Sequence, residues 1–295
     1  MKLVSYDDFQ IGVLRDDGIV SVTSVLPDVP GPLRCYRMNL FIEDWDSLKP
    51  QVEALAKSGS ALPVDSVKLI APVPAPRKVY AAPANYHAHR AEMEAGAGGA
   101  EAAAGQHHSG EFGMFLKSPS SVVGPEDTIL RPYDDRLIHH ESELVMVMGK
   151  HGSGIPLEDS LSYVFGYTCG LDITVRGPED RSKRKSFDTF SPTGPYIVTA
   201  DEIADPGNLE INLWVNEDLR QHAFTKDLIT DCPHLITNMS WVAAMEPGDL
   251  LFTGTPDGVG EIKPGDLVTI NISDVGEMSV PVDARKGPNP ERETA

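Results

Sequence analysis

The apolar run Leu144-Val145-Met146-Val147-Met148, closed by Gly149 and entered through His139-His140-Glu141-Ser142-Glu143, constrains the fold of this chain more than any other stretch. It is too short and too continuous for an amphipathic helix, and it reads as a strand buried on both faces. In a strand, residues i and i+2 project to the same side, so Glu141 and Glu143 point at one spot while Ser142 points away. Two carboxylates at one spot repel each other. A shared proton or a cation relieves the repulsion, and an oxygen-only donor set suits Mg²⁺, Mn²⁺ or Ca²⁺ better than zinc. An isolated E-x-E is more often a solvated strand end, so a metal site here needs support from residues further along the chain.

Downstream, Phe165-Gly166-Tyr167-Thr168-Cys169-Gly170-Leu171-Asp172 is an apolar, glycine-flanked segment that ends in an acid. A carboxylate at the end of a buried strand is costly unless it is paired or metal-bound. Asp172 is therefore the expected third ligand; the competing reading is a cap on the next turn through Thr174. Three carboxylates on one divalent ion leave about three octahedral positions for water and a bidentate oxyacid.

Other segments bring reactive groups. Within Asn85-Tyr86-His87-Ala88-His89-Arg90-Ala91-Glu92, His89 and Glu92 lie at i and i+3, one helix face, where a carboxylate can raise the basicity of an imidazole. His87 competes for that role, and His140 is a further candidate base. The stretch from Arg176 to Lys185 holds five cations in ten positions. A solvated surface or a polyanion patch is the generic reading, but the position just after Asp172 favours contact with the metal site, with Lys185 stabilising an enolate and Arg176 partnering a carboxylate. Thr253-Gly254-Thr255-Pro256-Asp257-Gly258-Val259-Gly260 is a glycine-rich turn whose amides and hydroxyls suit a carboxylate, and equally suit a structural turn. It lacks the lysine and spacing of a P-loop.

With 295 residues, 41% of them hydrophobic, the chain can bury one large core, or one large and one small. Lys plus Arg number 25 against 44 Asp plus Glu, a net charge of -19, which opposes attachment to nucleic acid or to anionic membrane. The expected partner is a small anionic substrate in a local positive well. The amino terminus is too acidic for a signal peptide and no stretch approaches the roughly twenty apolar residues of a membrane span, so a cytoplasmic location is expected. Cys35, Cys169 and Cys232 are odd in number and widely spaced, which indicates neither disulfides nor a thiolate zinc site.

The expected fold is α+β and β-dominated. Residues 1–73 form a small N-terminal α+β domain, with a hairpin about Asp16-Asp17-Gly18 and a short helix from Asp46 to Gly59. The Pro-rich stretch 71–76 is the candidate linker, residues 74–283 are the main domain, and residues 284–295 are a disordered tail. In the main domain, strands are expected at 144–148, 164–172, 196–199, 209–215, 250–252 and 267–272. The small-residue tract Gly96 to Gly105 has almost nothing to bury; it is expected to be mobile without ligand and to close as a lid on binding.

Taken together, these segments resemble the fumarylacetoacetate hydrolase superfamily, and they occur in the same order. The matching pieces are Asn85-Tyr86-x-x-His89-x-x-Glu92, Phe115-Leu116-Lys117, Glu141-x-Glu143-Leu144, Gly166-Tyr167 through Asp172, Lys185-Ser186-Phe187-Asp188-Thr189-Phe190 with Gly194-Pro195, Val215-Asn216 with Gln221, Pro247-Gly248-Asp249, and Thr253-Gly254-Thr255-Pro256-x-Gly258-Val259-Gly260, from about Lys78 to Val282. The resemblance implies a mixed β-sandwich-like roll, a homodimer, and Mg²⁺ or Mn²⁺ on Glu141, Glu143 and Asp172. It also implies His89 and Glu92 as the water-activating dyad and Lys185 as the enolate stabiliser. Thr255, Tyr86, Lys117 and Arg176 are expected at the substrate. One departure stands out: hydrolytic members show Arg-x-x-Gln after the metal Asp, where this chain has Arg176-Gly177-Pro178-Glu179, so an acceptor replaces an amide donor. That pattern is similar to the acylpyruvase and 2-hydroxyhepta-2,4-diene-1,7-dioate isomerase branch. The implied activity is metal-dependent hydrolysis of a C–C bond in an acylpyruvate-like acid. Isomerisation or decarboxylation of a related diacid is the alternative, and a metal-binding protein without chemistry is a third.

Overall fold

The computed structural model describes residues 1–95 and 113–287. The Gly96–Gly105 tract and residues 288–295 of the expected tail lie outside them. A large sheet dominates. Its order runs Gly18–Ser21, Gln10–Arg15, Lys2–Tyr6, Ser191–Thr199, Val164–Leu171, Ser142–Met148, Leu250–Phe252, Val79–Ala81 and Phe115–Lys117. A five-stranded sheet, Asp218–Phe224, Glu210–Val215, Leu267–Ile272, Gly276–Ala284 and Ile129–Arg131, packs against it. A three-stranded ribbon, Thr174–Val175, Ile138–His140 and Gly260–Glu261, closes one end.

The strand Ser142–Met148 is central and wholly buried, as its apolar run predicts. Its two faces serve two cores. Leu144, Met146 and Met148 join Tyr167, Leu171, Ile211, Val268 and Ile270 between the sheets, while Val145 and Val147 join Leu3, Ile11, Phe41, Val52 and Phe252 on the other side. Glu143 lies in phase with Val145 and Val147, two and four positions on.

The second core includes residues from the N-terminal segment. Lys2–Tyr6 is the first strand of a three-stranded meander and pairs antiparallel with Ser191–Thr199, so the large sheet runs unbroken into the first 73 residues. The helix Trp45–Ser58 ends at Gly59 and buries Leu48 and Val52. The Pro-rich stretch has no regular structure, yet Ala71, Pro72, Val73 and Pro76 are buried, and the Ser5 hydroxyl donates to the Pro72 carbonyl at 2.8 Å. A helix at Cys232–Val242 adds Leu235, Ile236 and Met239 to the first core; it starts at Asp231, whose side chain accepts from the His234 amide at 3.0 Å. None of the described helices is long and apolar enough to cross a membrane.

Candidate functional site

The register between Ser142–Met148 and Val164–Leu171 builds the site. Ser142 pairs with Leu171 and Glu143 with Gly170, so Asp172 emerges beside Glu141, and its amide donates to the Glu141 carbonyl at 2.9 Å. Close packing holds that register. A Cβ on Gly170 would stand 2.3 Å from Val145 Cγ2 and 2.7 Å from Phe252 Cε1, so only glycine fits. As a result Glu141, Glu143 and Asp172, at 4%, 1% and 1% exposure, place one carboxylate oxygen each within 4.8 Å of one another.

Cations and amides surround them. Lys185 Nζ donates to Glu141 Oε2 at 2.7 Å, to Asp172 Oδ2 at 2.5 Å and to Thr174 Oγ1 at 2.7 Å. Arg176 Nη2 donates to Glu141 Oε1 at 2.9 Å, and its Nε donates to His139 Nδ1 at 3.0 Å. Glu143 Oε2 accepts from the amide of Gly254 at 2.6 Å. Burial works against charge on Glu141, but Lys185 and Arg176 outweigh it and hold that carboxyl well below its ordinary range. Glu143 goes the other way: burial, then the charge of Asp172, push it well above. The environments thus separate two acids that lie two residues apart.

The helix His87–Glu94 lies against this cluster. Asn85 holds its entry, because its amide donates to the carbonyls of Thr230 and Thr253, each at 2.8 Å, and its oxygen accepts from the Thr230 amide at 2.8 Å. Helical phase then exposes His87 and buries His89. His89 Nδ1 is 3.1 Å from Glu92 Oε2, and the other Glu92 oxygen accepts from the Gly258 amide at 3.1 Å, so the pair is fastened to the glycine-rich turn.

A pocket opens onto these groups. His89, Glu141, Glu143, Arg176, Lys185 and Thr255 line it, with Asp172 directly behind Lys185. Burial lowers the two nearby histidines, His139 to about 3 and His140 to about 4. The His140 Nδ1 lies 3.4 Å from Gln221 Oε1.

Three expectations change. Tyr86, expected at the substrate, pairs with Leu228 in a single bridge and turns its ring into the inter-sheet core, because it directly precedes the helix rather than lying on its site-facing side. Lys117, also expected at the substrate, is fully buried behind the carboxylates, where it donates to Asp172 Oδ1 at 2.5 Å and to the Phe190 carbonyl at 2.8 Å. Glu179, expected to meet substrate in place of an amide, instead receives Arg136 in a two-pronged pair at 2.8 and 2.7 Å.

Three further residues shape the site. Gln221 accepts from the Ser142 amide at 2.9 Å and donates to Thr255 Oγ1 at 2.9 Å, so it positions the threonine that lines the pocket. Arg181 and Arg184 complete the wall. Their signal was present in the density of cations from 176 to 185, but nothing local says which of the five turn inward.

Residues 78–283 match the fumarylacetoacetate (FAA) hydrolase C-terminal family. The chain belongs to that family. It is 39% identical to the maleylpyruvate hydrolase of Aquipseudomonas alcaligenes over 286 residues, 96% of this chain and 99% of that protein. Its fold is similar to the crystal structure of maleylpyruvate hydrolase from Sphingobium sp. SYK-6 in complex with manganese(II) ion and pyruvate, with a TM-score of 0.86 and 39% identity over 97% of this chain and all of that one. It is also similar to a probable 2-hydroxyhepta-2,4-diene-1,7-dioate isomerase from Mycobacterium abscessus, with a TM-score of 0.77 and 26% identity over 97% of this chain and 99% of that one. As a member of this family the protein is an enzyme. A divalent metal fits the donor set, because three buried carboxylates converge on oxygen-only ligation and two of their neighbours are lysine ammoniums, which an ion can displace.

Proposed function

We propose that this enzyme hydrolyses a C–C bond in a small β-diketo acid of the acylpyruvate type, with Glu141, Glu143 and Asp172 holding Mg²⁺ or Mn²⁺. The observation that carries the reading is the shared pocket of the acidic trio and His89, whose ring is backed by Glu92 at 3.1 Å. When bound, the ion supplies Lewis acidity toward the oxo-acid end of the substrate.

The remaining steps belong to the chain's own groups. Glu92 fixes the proton of His89 on Nδ1, which leaves Nε2 free to take a proton from water. The hydroxide adds to the acyl carbonyl carbon. The bond from that carbon to the methylene then breaks, and its electron pair passes to the pyruvate fragment as an enolate. The Lys185 ammonium, 2.7 Å from Glu141 and 2.5 Å from Asp172, lies beside the trio and offsets that charge. The imidazolium of His89 returns its proton to the enolate methylene, so one water is consumed and a carboxylic acid and pyruvate leave. Thr255, held by Gln221, orients the carboxylate end, while Met93 and Phe115 form an apolar wall.

Similarity to a probable isomerase keeps one competing reaction in view, in which the same enolate forms without attack by water. Turnover in H₂¹⁸O separates the two. Hydrolysis places one ¹⁸O in the acid product and releases pyruvate; a mass spectrum showing an isomeric product without cleavage overturns the proposal.

A further inference from the structure

Arg176 and Lys185, the two cations that donate to Glu141, stand at the two ends of a ten-residue segment. Its second half is the five-residue helix Arg181–Lys185, far below the length at which a helix is stable alone. Charge works against it too. Five of the ten residues are cations, and Arg181 and Lys185 lie at i and i+4, where like charges repel. The Lys185 ammonium is held by Glu141, Asp172 and Thr174. A divalent ion on the trio would take the first two partners, so the place of the ammonium would then depend on the backbone that carries it.

That backbone is fastened from behind. Asp180 caps the helix by accepting from the Ser182 amide at 2.7 Å, and Arg136 holds the turn before it. Arg136 Nη1 and Nη2 donate to the two carboxylate oxygens of Glu179 at 2.8 and 2.7 Å, and Nη2 donates also to the Arg176 carbonyl at 3.1 Å. The Glu179 carbonyl in turn accepts from Arg184 Nε at 2.7 Å, so one guanidinium reaches both the start of the segment and its helix. Gly177 permits the approach: a Cβ there would stand 2.0 Å from Arg136 Nη2 and 2.5 Å from Glu179 Oε2. The fork is itself oriented. Its carbon lies 4.8 Å from the centroid of the Tyr133 ring, which meets Phe187 edge-on at 5.7 Å. An exposed ion pair contributes little, but this one is two-pronged, stacked on a ring, and its side chains are only 22% and 26% exposed.

We propose that Arg136, acting through Glu179, is a positioning residue for the reaction: it holds residues 176–185 so that Lys185 stays beside the forming enolate when the acids turn to a metal. It touches no substrate. The proposal rests on the hydrolase reading only in taking an enolate as the group that Lys185 meets, and the competing isomerisation forms that enolate too. The departure at Glu179 gains a meaning from this role. A carboxylate accepts both prongs of the guanidinium, where an amide side chain offers one acceptor oxygen.

Two measurements in the presence of Mn²⁺ test this without requiring turnover. Amide hydrogen exchange across 176–185 should quicken by about tenfold or more in Arg136→Met, while the strands Ser142–Met148 and Val164–Leu171 keep their native rates. In titration calorimetry the affinity for oxalate, a mimic of the pyruvate enolate, should fall by about tenfold and that for pyruvate by less than about threefold, because the enolate mimic draws more on Lys185. A pair with a structural role alone would lower both alike. Arg136→Lys should recover part of the oxalate affinity, Glu179→Gln should lose about threefold, and the variant combining Arg136→Met with Glu179→Gln should be no worse than Arg136→Met. Unchanged exchange in 176–185, equal losses for oxalate and pyruvate, or additive losses in the combined variant each overturn the proposal. If Arg136→Met does not fold, Arg136→Lys and Glu179→Gln decide, since a native ratio of oxalate to pyruvate affinity in both also overturns it. Cleavage of acetylpyruvate separates this proposal from the hydrolase reading. Native kcat in Arg136→Met supports hydrolysis and sinks the positioning role; no cleavage by the native enzyme, with the exchange and oxalate results as expected, sinks hydrolysis and leaves the role standing.

Discussion

Two buried clusters of acid and base lie at opposite ends of the strand Leu250–Phe252, and they are built differently. At the start, Asp249 is fully buried and accepts from the amides of Lys78 and Glu246, each at 2.9 Å, and from Lys78 Nζ at 3.0 Å. Beyond the other end, among the described residues, Glu141, Glu143 and Asp172 receive a single backbone amide to their side chains, from Gly254, and depend otherwise on the ends of Lys185, Lys117 and Arg176. Backbone amides cannot leave. Lysine ammoniums can swing away, and a divalent ion can take their place. The contrast separates a carboxylate that fastens a turn from carboxylates kept available for a ligand.

Substitutions at the two clusters should therefore have opposite consequences. Asp172→Asn should lower turnover by roughly 1,000-fold or more because it removes a ligand, and it should cost less stability than Asp249→Asn because the Lys185 ammonium can swing toward the pocket when its partner is lost. Asp249→Asn should do the reverse, costing about 3 kcal/mol in denaturant unfolding and leaving kcat of the folded fraction near native. A loss of stability at Asp172 equal to that at Asp249 would erase the distinction. Next in size is His89→Gln, expected to reduce kcat by about 100-fold or more without altering Mn²⁺ affinity in calorimetry. A matching fall in metal affinity would place His89 among the ligands instead.

Metal addition sharpens the comparison further. At an ion concentration one hundred times Kd, Mn²⁺ should stabilise the native protein by about 2.7 kcal/mol. The stabilisation should vanish in Asp172→Asn and persist in Asp249→Asn, both read from thermal unfolding. The smallest effect concerns pH at the fastening cluster. Glu246 is depressed by the hydrogen bond from Lys78; burial opposes charge on Lys78, but Glu246 and Asp249 outweigh it and raise that ammonium. The depressed acid stabilises above its unfolded value near 4.3 and loses that contribution as pH falls through its lower folded value. The raised base contributes fully below its unfolded value near 10.4 and loses it as pH rises through its higher folded value. Stability owed to this pair should thus be flat from about pH 5 to 10, and a Lys78→Met variant should remove the fall at each edge.

Much of this architecture could be inferred from residue order, for identifiable reasons. The strands about 144–148, 164–172 and 267–272 carry their own pattern, and the trio follows from strand phase plus the cost of an acid at a buried strand end. Long-range placement carries no such local signal. The pairing of Leu3 with Ile197, which draws the N-terminal meander into the main sheet, depends on complementary edges far apart in the chain. Lys117 and Tyr86 lie within recognisable motifs, but a motif does not state which way a side chain turns. Lys117 lies behind the carboxylates and Tyr86 in the core. Glu179 was visible as a departure, and its meaning required Arg136, which lies 43 positions earlier and has no pattern linking the two.

Anomalous scattering from a crystal soaked in Mn²⁺ tests the central claim most directly. The account predicts one peak bound by carboxylate oxygens of Glu141, Glu143 and Asp172, with Lys185 Nζ moved off Asp172 and the Asp249 cluster unchanged. A peak elsewhere, or no peak with Lys185 still on Glu141 and Asp172 at saturating ion, would contradict it.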